Sequence, residues 1–489
     1  MIWLFLAPLL ISLVLFLCPI LSRKEGRLFI FILSLIPLLL LISGHESWLG
    51  STLKFDWIPP LSIFFHLHVD SLSLLFLYLT ALIIPISLFA IPSKELPHPH
   101  TFYALIFLLQ AFLNGFFMAR DLALFVLFWE AMLLPLYFII TSWGGTHRQS
   151  AAIKFLIYMI AGSALLVAAA LALYFNPTAA GHTFDLDLLQ NHAEQIPHAP
   201  WVFAIFLLAF AVKTPLFPFH GWLPDAYCQA PAAGTILLAA ILSKAGVYGI
   251  LRIGMELFPT WMREWNPYLL GLAMTGVIYG ALAAWRQEDF KRLIAYSSFS
   301  HVNFVLAGLF ILDSTAFTGG ILQALNHGIT IAALFLVAWW LEKRIGTTSL
   351  HQEGGLAKTF PWLCWLTLFF VLSSVALPGM NNFIGEFFIL FGLFASHPWL
   401  AALLGSTMIL SVIYMLRWME ITYFGTETFL PIAWKDIGKK ELLMALPLVL
   451  LILAIGIYPM PLINLIAPTA EKLTSRTGSG GWAEAKAPA

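Results

Sequence analysis

The stretch AFAVKTPLFPFHGWLPDAY, residues 209–227, sets a lysine and two prolines inside what otherwise reads as a membrane-spanning helix. Lys213 follows the almost wholly apolar run from Pro200 to Val212, and Pro215 and Pro218 arrive where the helix would continue. At helical rise, Lys213 lies about 20 Å into a hydrocarbon layer roughly 30 Å thick. A cation at that depth costs at least about 2.5–3.5 kcal/mol. Proline removes a backbone donor and strains the preceding turn. Backbone freed in this way is tolerated at membrane depth only where it lines a protein-filled or hydrated cavity, and broken helices are a transporter device.

The rest of the chain supports a membrane reading. Of 489 residues 60% are hydrophobic and 10% charged, with no net charge, which excludes an electrostatically driven nucleic-acid partner. Cys18, Cys228 and Cys364 lie far apart with no CxxC pair, which argues against an iron–sulfur cluster, a structural zinc site or a disulfide framework. Met1 to about Leu21 lacks a basic leader, and its charges follow the apolar run, so it reads as a first span rather than a cleaved signal.

Apolar runs predict an all-α polytopic membrane protein with about fourteen transmembrane helices. The expected division is 1–100 for spans one to three with an outer loop, 101–253 and 266–425 for two five-span repeats, 426–467 for span fourteen, and 468–489 for a disordered tail. The loop at 44–67 is expected to be extended. Lys and Arg fall fifteen to one side and seven to the other, Lys54, Arg120, Arg252 and Arg263 among the seven. That bias places both termini on the outer, periplasmic side of a bacterial inner membrane.

Six titratable positions are expected deep in spans: Glu130, Lys213, Lys244, His301, His327 and Glu386. Each has a structural alternative. Glu130 and Lys213 could form a static ion pair, His301 or His327 a helix-to-helix hydrogen bond, and Glu386 a packing-locked neutral acid. Against this, the desolvation cost of a membrane Glu or Lys needs a reason. Acid, base and imidazole at mid-depth suit a proton wire, because burial moves carboxylates and amines toward neutral pH and histidine is already there. His220 follows the break formed by Pro215 and Pro218, where it could instead cap a helix end. A second break is expected at Pro378 and Gly379, beside Glu386. Spans seven and twelve carry the breaks. Their odd separation suggests two inverted repeats, spans 4–8 and 9–13.

Several segments, FWEAMLLPLYFII, AFAVKTPLFPFHGWLPDAYCQAP, GTILLAAILSKAGVYGILR, DFKRLIAYSSFSHVNF, QALNHGI and LPGMNNFIGEF, appear in order between residues 128 and 387. Together they resemble the antiporter-like membrane subunits of proton-pumping NADH:quinone oxidoreductase, respiratory complex I, over about residues 55–425. The resemblance implies that Glu130 partners the broken-helix Lys213. It implies that Lys244 leads to the middle of the membrane, that His301 and His327 are the polar links of spans ten and eleven, and that Glu386 is the acid near the proton's exit. Glutamate at that last position resembles the M type; the L and N types and the Mrp antiporter subunits usually carry lysine. Gln229, Ala232 and Asn303 depart from the common family pattern.

The resemblance further implies a subunit of an oxidoreductase that carries no cofactor or metal itself. NADH, FMN, iron–sulfur clusters and quinone are expected in partner subunits. The expected partners are the other membrane subunits, above all the L- and N-type ones, together with the lipid bilayer and protons. Alternative readings are a subunit of an Mrp-type cation/proton antiporter, against which Glu386 counts, and a haem-binding oxidoreductase using His301 and His327, which a missing Soret band would exclude.

Overall fold

The computed structural model describes residues 1–18, 26–91, 96–176, 181–351, 354–426 and 435–478. The chain divides into two compact units. One comprises residues 1–214, 229–237 and 241–264; the other comprises 215–228, 238–240 and the chain from 265 onward. Residues 215–228 and 238–240 lie in the range expected for the first repeat, yet they group with the second unit.

The first unit opens with α1 (Ile2–Leu17), α2 (Arg27–Ser43) and the short α3 (His45–Trp48). Strands β1 (Thr52–Ile58) and β2 (Ile63–His68) then pair antiparallel, Thr52 opposite His68 and Phe55 opposite Phe65. The loop expected at 44–67 is therefore a helical turn and a β-hairpin, and the chain is not wholly α-helical. Pro59 and Pro60 cannot donate to a ladder, so pairing stops at the turn they form.

Next come α4 (Ser71–Ala90), α5 (Pro99–Met118), α6 (Leu122–Ala131), α7 (Leu133–Trp143), α8 (Arg148–Phe175), α9 (Leu186–Leu189) and α10 (Ala199–Lys213). Carboxylates start three of them by accepting backbone N–H bonds: Asp70 for α4, Asp121 for α6 and Asp185 for α9. Past the break lies α11 (Leu223–Gln229). One buried helical run then spans Ala232–Met255. It is made of α12 (Ala232–Leu237), a π segment at Leu238–Leu242, α13 (Ser243–Gly249) and a second π segment at Ile250–Met255. Within this unit α5 packs on α1 and α4, α8 packs on α10, and α10 packs on α13.

The chain continues through α14 (Pro259–Trp285) to α15 (Phe290–Phe310), α16 (Ser314–Ile345), α17 (Pro361–Ser374), α18 (Asn381–Ser396), α19 (Pro398–Phe424), α20 (Lys439–Ile457) and α21 (Met460–Thr477). In the second unit α16 is the central post, packed by α15, α17, α18, α20 and α21. Its N-terminus is capped by Asp313, and it ends where Gly346 takes the left-handed conformation at φ 74°.

Among the described residues ten helical runs are long and apolar enough to cross a membrane. Five shorter apolar helices accompany them: α1, 28–43, α10, α17 and α18. The tail expected to be disordered from Pro468 is helical as far as Thr477. Ile466, Ala470, Leu473, Thr474 and Thr477 are buried, a helical stripe that a reading of bulk polarity overlooks. Residues 479–489 lie outside the described residues.

Candidate functional site

Lys213 is the last residue of α10 and is 1% exposed. Its Nζ donates to the carbonyl of Trp129 at 3.2 Å and sits 3.7 Å from the centre of that indole ring. A helix C-terminus and an aromatic face both favour a cation. The indole is held in turn by Nε1 donating to Ser163 Oγ at 3.2 Å. Glu130 follows Trp129 in α6 and is half-buried. It acts on Lys213 electrostatically, but among the described residues no ion pair closes between them within 4.0 Å.

Gly246 of α13 allows close packing here. A Cβ on it would lie 2.0 Å from Thr214 Oγ1 and 2.7 Å from Thr214 N. Lys244 is also 1% exposed, with Nζ 3.3 Å from Ser243 Oγ.

Beyond Lys213 the chain leaves the helix. Pro215 is buried and Pro218 exposed. In the second unit Asn303 of α15 holds the opened backbone: its Nδ2 donates to Pro215 O at 3.2 Å, and its Oδ1 accepts from Phe217 N at 3.4 Å. His220 packs its ring on Phe299 with centroids 4.4 Å apart, and on Tyr279 at 5.0 Å. In the sequence Asn303 shows only as a departure from the family pattern; no local signal marks its bridge to Pro215.

Three other expected residues meet in the second unit. His301 Nδ1 lies 3.1 Å from Glu386 Oε1, which also accepts from Gln323 Nε2 at 3.0 Å. The rings of His301 and His327 stack with centroids 5.5 Å apart, and His327 Nε2 lies 3.1 Å from Ser298 Oγ. His301, His327 and Glu386 are all buried, and His301 Nε2 has no hydrogen-bond partner among the described residues.

Two glycines bring the helices to this distance. A Cβ on Gly385 would meet Gln323 Oε1 at 2.4 Å, and one on Gly319 would meet Ile389 N at 2.8 Å and Gly385 O at 2.9 Å. Where lipid gives no hydrophobic drive between helices, such small residues permit the contact.

Pro378 and Gly379 lie in the interruption between α17 and α18, with Ala376 at φ 57° and Gly379 at φ 90°. A polar knot ties the interruption to α16. Asn326 Nδ2 donates to Asn381 O at 2.7 Å, and Asn381 Nδ2 donates to Asn326 O at 3.1 Å. Ser373 Oγ donates to Asn381 Oδ1 at 2.8 Å.

A further charged cluster lies at the hairpin end of the first unit. Arg252, expected in an outer loop, is inside the second π segment and 3% exposed. It reaches Asp70 Oδ1 at 2.5 Å, Glu256 Oε1 at 2.6 Å, Tyr248 Oη at 2.9 Å and Ser73 Oγ at 3.1 Å. Arg120 bonds Glu256 Oε2 at 2.7 Å and Asp187 Oδ1 at 2.8 Å. Although burial would raise the Asp70 carboxyl, the charge and hydrogen bond of Arg252 hold it well below the usual carboxylate range. The four-residue steps Lys244, Tyr248, Arg252 and Glu256 are the sequence signal that marks this stripe.

His66, Asp185 and Asp187 are the described residues grouped closely enough to suit a metal ion. They do not fit one. Lys54 Nζ already holds Asp185 Oδ2 at 2.5 Å, and Arg120 holds Asp187.

Titratable side chains buried in an apolar helical body, around helices interrupted at 214–222 and 375–380, define a class: the ion-translocating membrane subunit. The family described as NADH:quinone oxidoreductase/Mrp antiporter, transmembrane, matches residues 119–413. NADH-quinone oxidoreductase subunit M of Escherichia coli is 38% identical over 434 residues, 86% of this chain and 84% of that protein. The protein of the same name from Pseudomonas aeruginosa is 37% identical over 448 residues, 89% and 87%. Respiratory complex I from Thermus thermophilus with bound NADH contains a chain that superposes with a TM-score of 0.88 at 31% identity, covering 98% of this chain and 99% of that one. The Mrp complex from a Dietzia species shares the fold, with a TM-score of 0.84 at 23% identity. The chain belongs to the NADH:quinone oxidoreductase/Mrp antiporter family of membrane subunits.

Proposed function

We infer that this chain is a proton-translocating membrane subunit of NADH:quinone oxidoreductase, of the M type. Electron transfer from NADH to quinone in partner subunits drives it. The observation that carries this reading is the buried His301–Glu386 pair at 3.1 Å beside an interrupted helix, in a chain of this family. A carboxyl and an imidazole at hydrogen-bond distance can exchange a proton with little motion.

In the first unit Lys213 is the switchable carrier. Its amine rests on a carbonyl and an indole face, and neither is an anion that would lock it as ammonium. A charge on Glu130 favours the ammonium form, and withdrawing that charge favours release. Lys244 is a second buried amine of the same unit, and His327 extends the imidazole pair in the other unit.

About fourteen crossings, with spans 4–8 and 9–13 forming two inverted five-helix repeats, accommodate the broken helices. The L- and N-type subunits are the neighbours in the assembly. Flavin, clusters and quinone belong to partner chains, and both termini lie on the outer side of the inner membrane.

The test is Lys213→Arg in the fully assembled complex, reconstituted into vesicles and driven by NADH and a quinone. Arginine keeps the charge but does not release its proton. Proton uptake per NADH should fall nearly as far as in Lys213→Ala. Normal uptake would show that Lys213 is only a fixed cation.

A further inference from the structure

The charged cluster at the hairpin end takes no part in the relay just described. Lys244 lies eight residues before Arg252 on one helical run, about 12 Å along its axis. Between them stands Tyr248, fully buried, whose hydroxyl donates to Phe117 O at 2.5 Å and accepts from Arg252 Nε at 2.9 Å. We propose that Arg252, bracketed by Asp70, Glu256 and Arg120, is a seal that denies Lys244 proton exchange with the hairpin side of the membrane. The seal rests on the proton-translocating reading and adds a residue with a barrier role.

The chemistry separates a seal from a conduit. A conduit needs groups that gain and lose protons, and arginine does not. Both oxygens of Glu256 are engaged by guanidinium groups, one accepting from Arg252 and the other from Arg120. Protonating it would leave two buried guanidinium groups facing a neutral acid. The Oδ1 of Asp70 accepts from Arg252 at 2.5 Å and from the Ser73 amide at 2.9 Å, which ties this carboxylate to the same guanidinium. The Tyr248 hydroxyl has one proton, already given to Phe117 O, so passing a proton along would break that bond. A fixed guanidinium across a narrow polar route is also how pores exclude protons.

A subunit that stores energy as a proton gradient needs such a barrier. If Lys244 were open to the side that receives protons, each turn of the cycle could run backward. Arg252 closes that route from the first unit without taking part in the transfer.

The experiment uses the assembled complex in vesicles with an internal pH dye, a potassium gradient and valinomycin, first without NADH. Under an imposed pH step, Arg252→Gln should collapse the gradient roughly tenfold or more faster than wild type, the change that follows a barrier lowered by about 1.4 kcal/mol. Arg252→Lys, which keeps a cation but loses the fork, should leak less than Gln. Tyr248→Phe should hold the gradient and pump normally, because the guanidinium remains.

Two results would overturn the seal. One is an assembled Arg252→Gln complex that holds the gradient as wild type does. The other is a Tyr248→Phe complex that holds the gradient but pumps fewer protons, which would make the stripe a conduit. Lys213→Ala, run alongside, separates this outcome from the parent reading. Normal pumping there would refute translocation through Lys213, while the leak measured without NADH stands apart from it.

Discussion

His301 and Glu386 stand on different helices, α15 and α18, and meet at 3.1 Å between Nδ1 and Oε1. The same carboxylate oxygen accepts from Gln323 on α16. Three helices thus converge on one oxygen beside the break at Pro378 and Gly379, and Glu386 is the group through which that convergence would act.

Glu386→Gln keeps the shape and still accepts from Gln323, but it cannot exchange a proton with His301. Pumping in the assembled complex should drop by about a hundredfold or more, the lower end of the range lost when an acid–base group is removed. Glu386→Asp should be milder. Dye-reported proton uptake in NADH-driven vesicles decides between them, and a Gln variant that pumps normally would make Glu386 structural.

Gly319→Ala should disrupt the same site from a distance. The new Cβ would face Ile389 N and Gly385 O below 3 Å, and backbone cannot step aside as a side chain can. We expect a loss of about 1–3 kcal/mol from overpacking, with α16 and α18 pushed apart. Lower thermal stability together with lower pumping is the expected pair of readings. Loss of neither would mean that the helices can separate without disturbing the Gln323–Glu386 bond.

Asn303→Ala removes the bonds to Pro215 O and Phe217 N and leaves one buried and one part-buried backbone group of the break without those partners. The cost should be about 1–3 kcal/mol of stability. Asn303→Asp keeps the acceptor toward Phe217 N but not the donor toward Pro215 O. Hydrogen exchange at residues 215–220 should quicken in the Ala variant, and unchanged exchange would show that Asn303 does not hold the break.

Asp121 provides a pH test outside the spans. Burial pushes its carboxyl up to about 6, opposed by the amides of Phe64, Leu124 and Ala123 and assisted by the charge of Asp185. A raised folded value means that the unfolded chain ionises first. Stability contributed by this group is therefore full below its ordinary pKa, about 3.9, and declines as pH rises toward 6. Melting of wild type compared with Asp121→Asn should diverge across that window and run parallel above it. Parallel curves throughout would remove Asp121 as the cause.

How much was legible in the sequence follows from range. Depth within an apolar run is local, so Lys213, Lys244 and Glu386 could be placed inside spans from residue counts. Proline and glycine act on their own backbone, so the interruptions near Pro215 and Pro378 were also legible. The hairpin at 52–68 was visible only as an extended loop, because its pairing depends on which strand lies alongside. The helix at 460–477 was missed because Pro468 and a polar composition outweighed a buried stripe that needs a partner, α16, to mean anything.

By itself the sequence determined that this is a membrane protein with costly charges at mid-depth and helices that cannot continue, because transfer energies and proline sterics belong to the residues concerned. Only the tertiary structure decided which charges meet. It brought Glu386 to His301 and Gln323, left Glu130 without a close ion pair to Lys213, and drew Arg252 out of a supposed loop into a buried net with Asp70, Glu256 and Arg120. Such pairings join residues far apart in the chain. Their energies depend on distances of a few ångströms, which are set by how closely glycine-bearing helices pack.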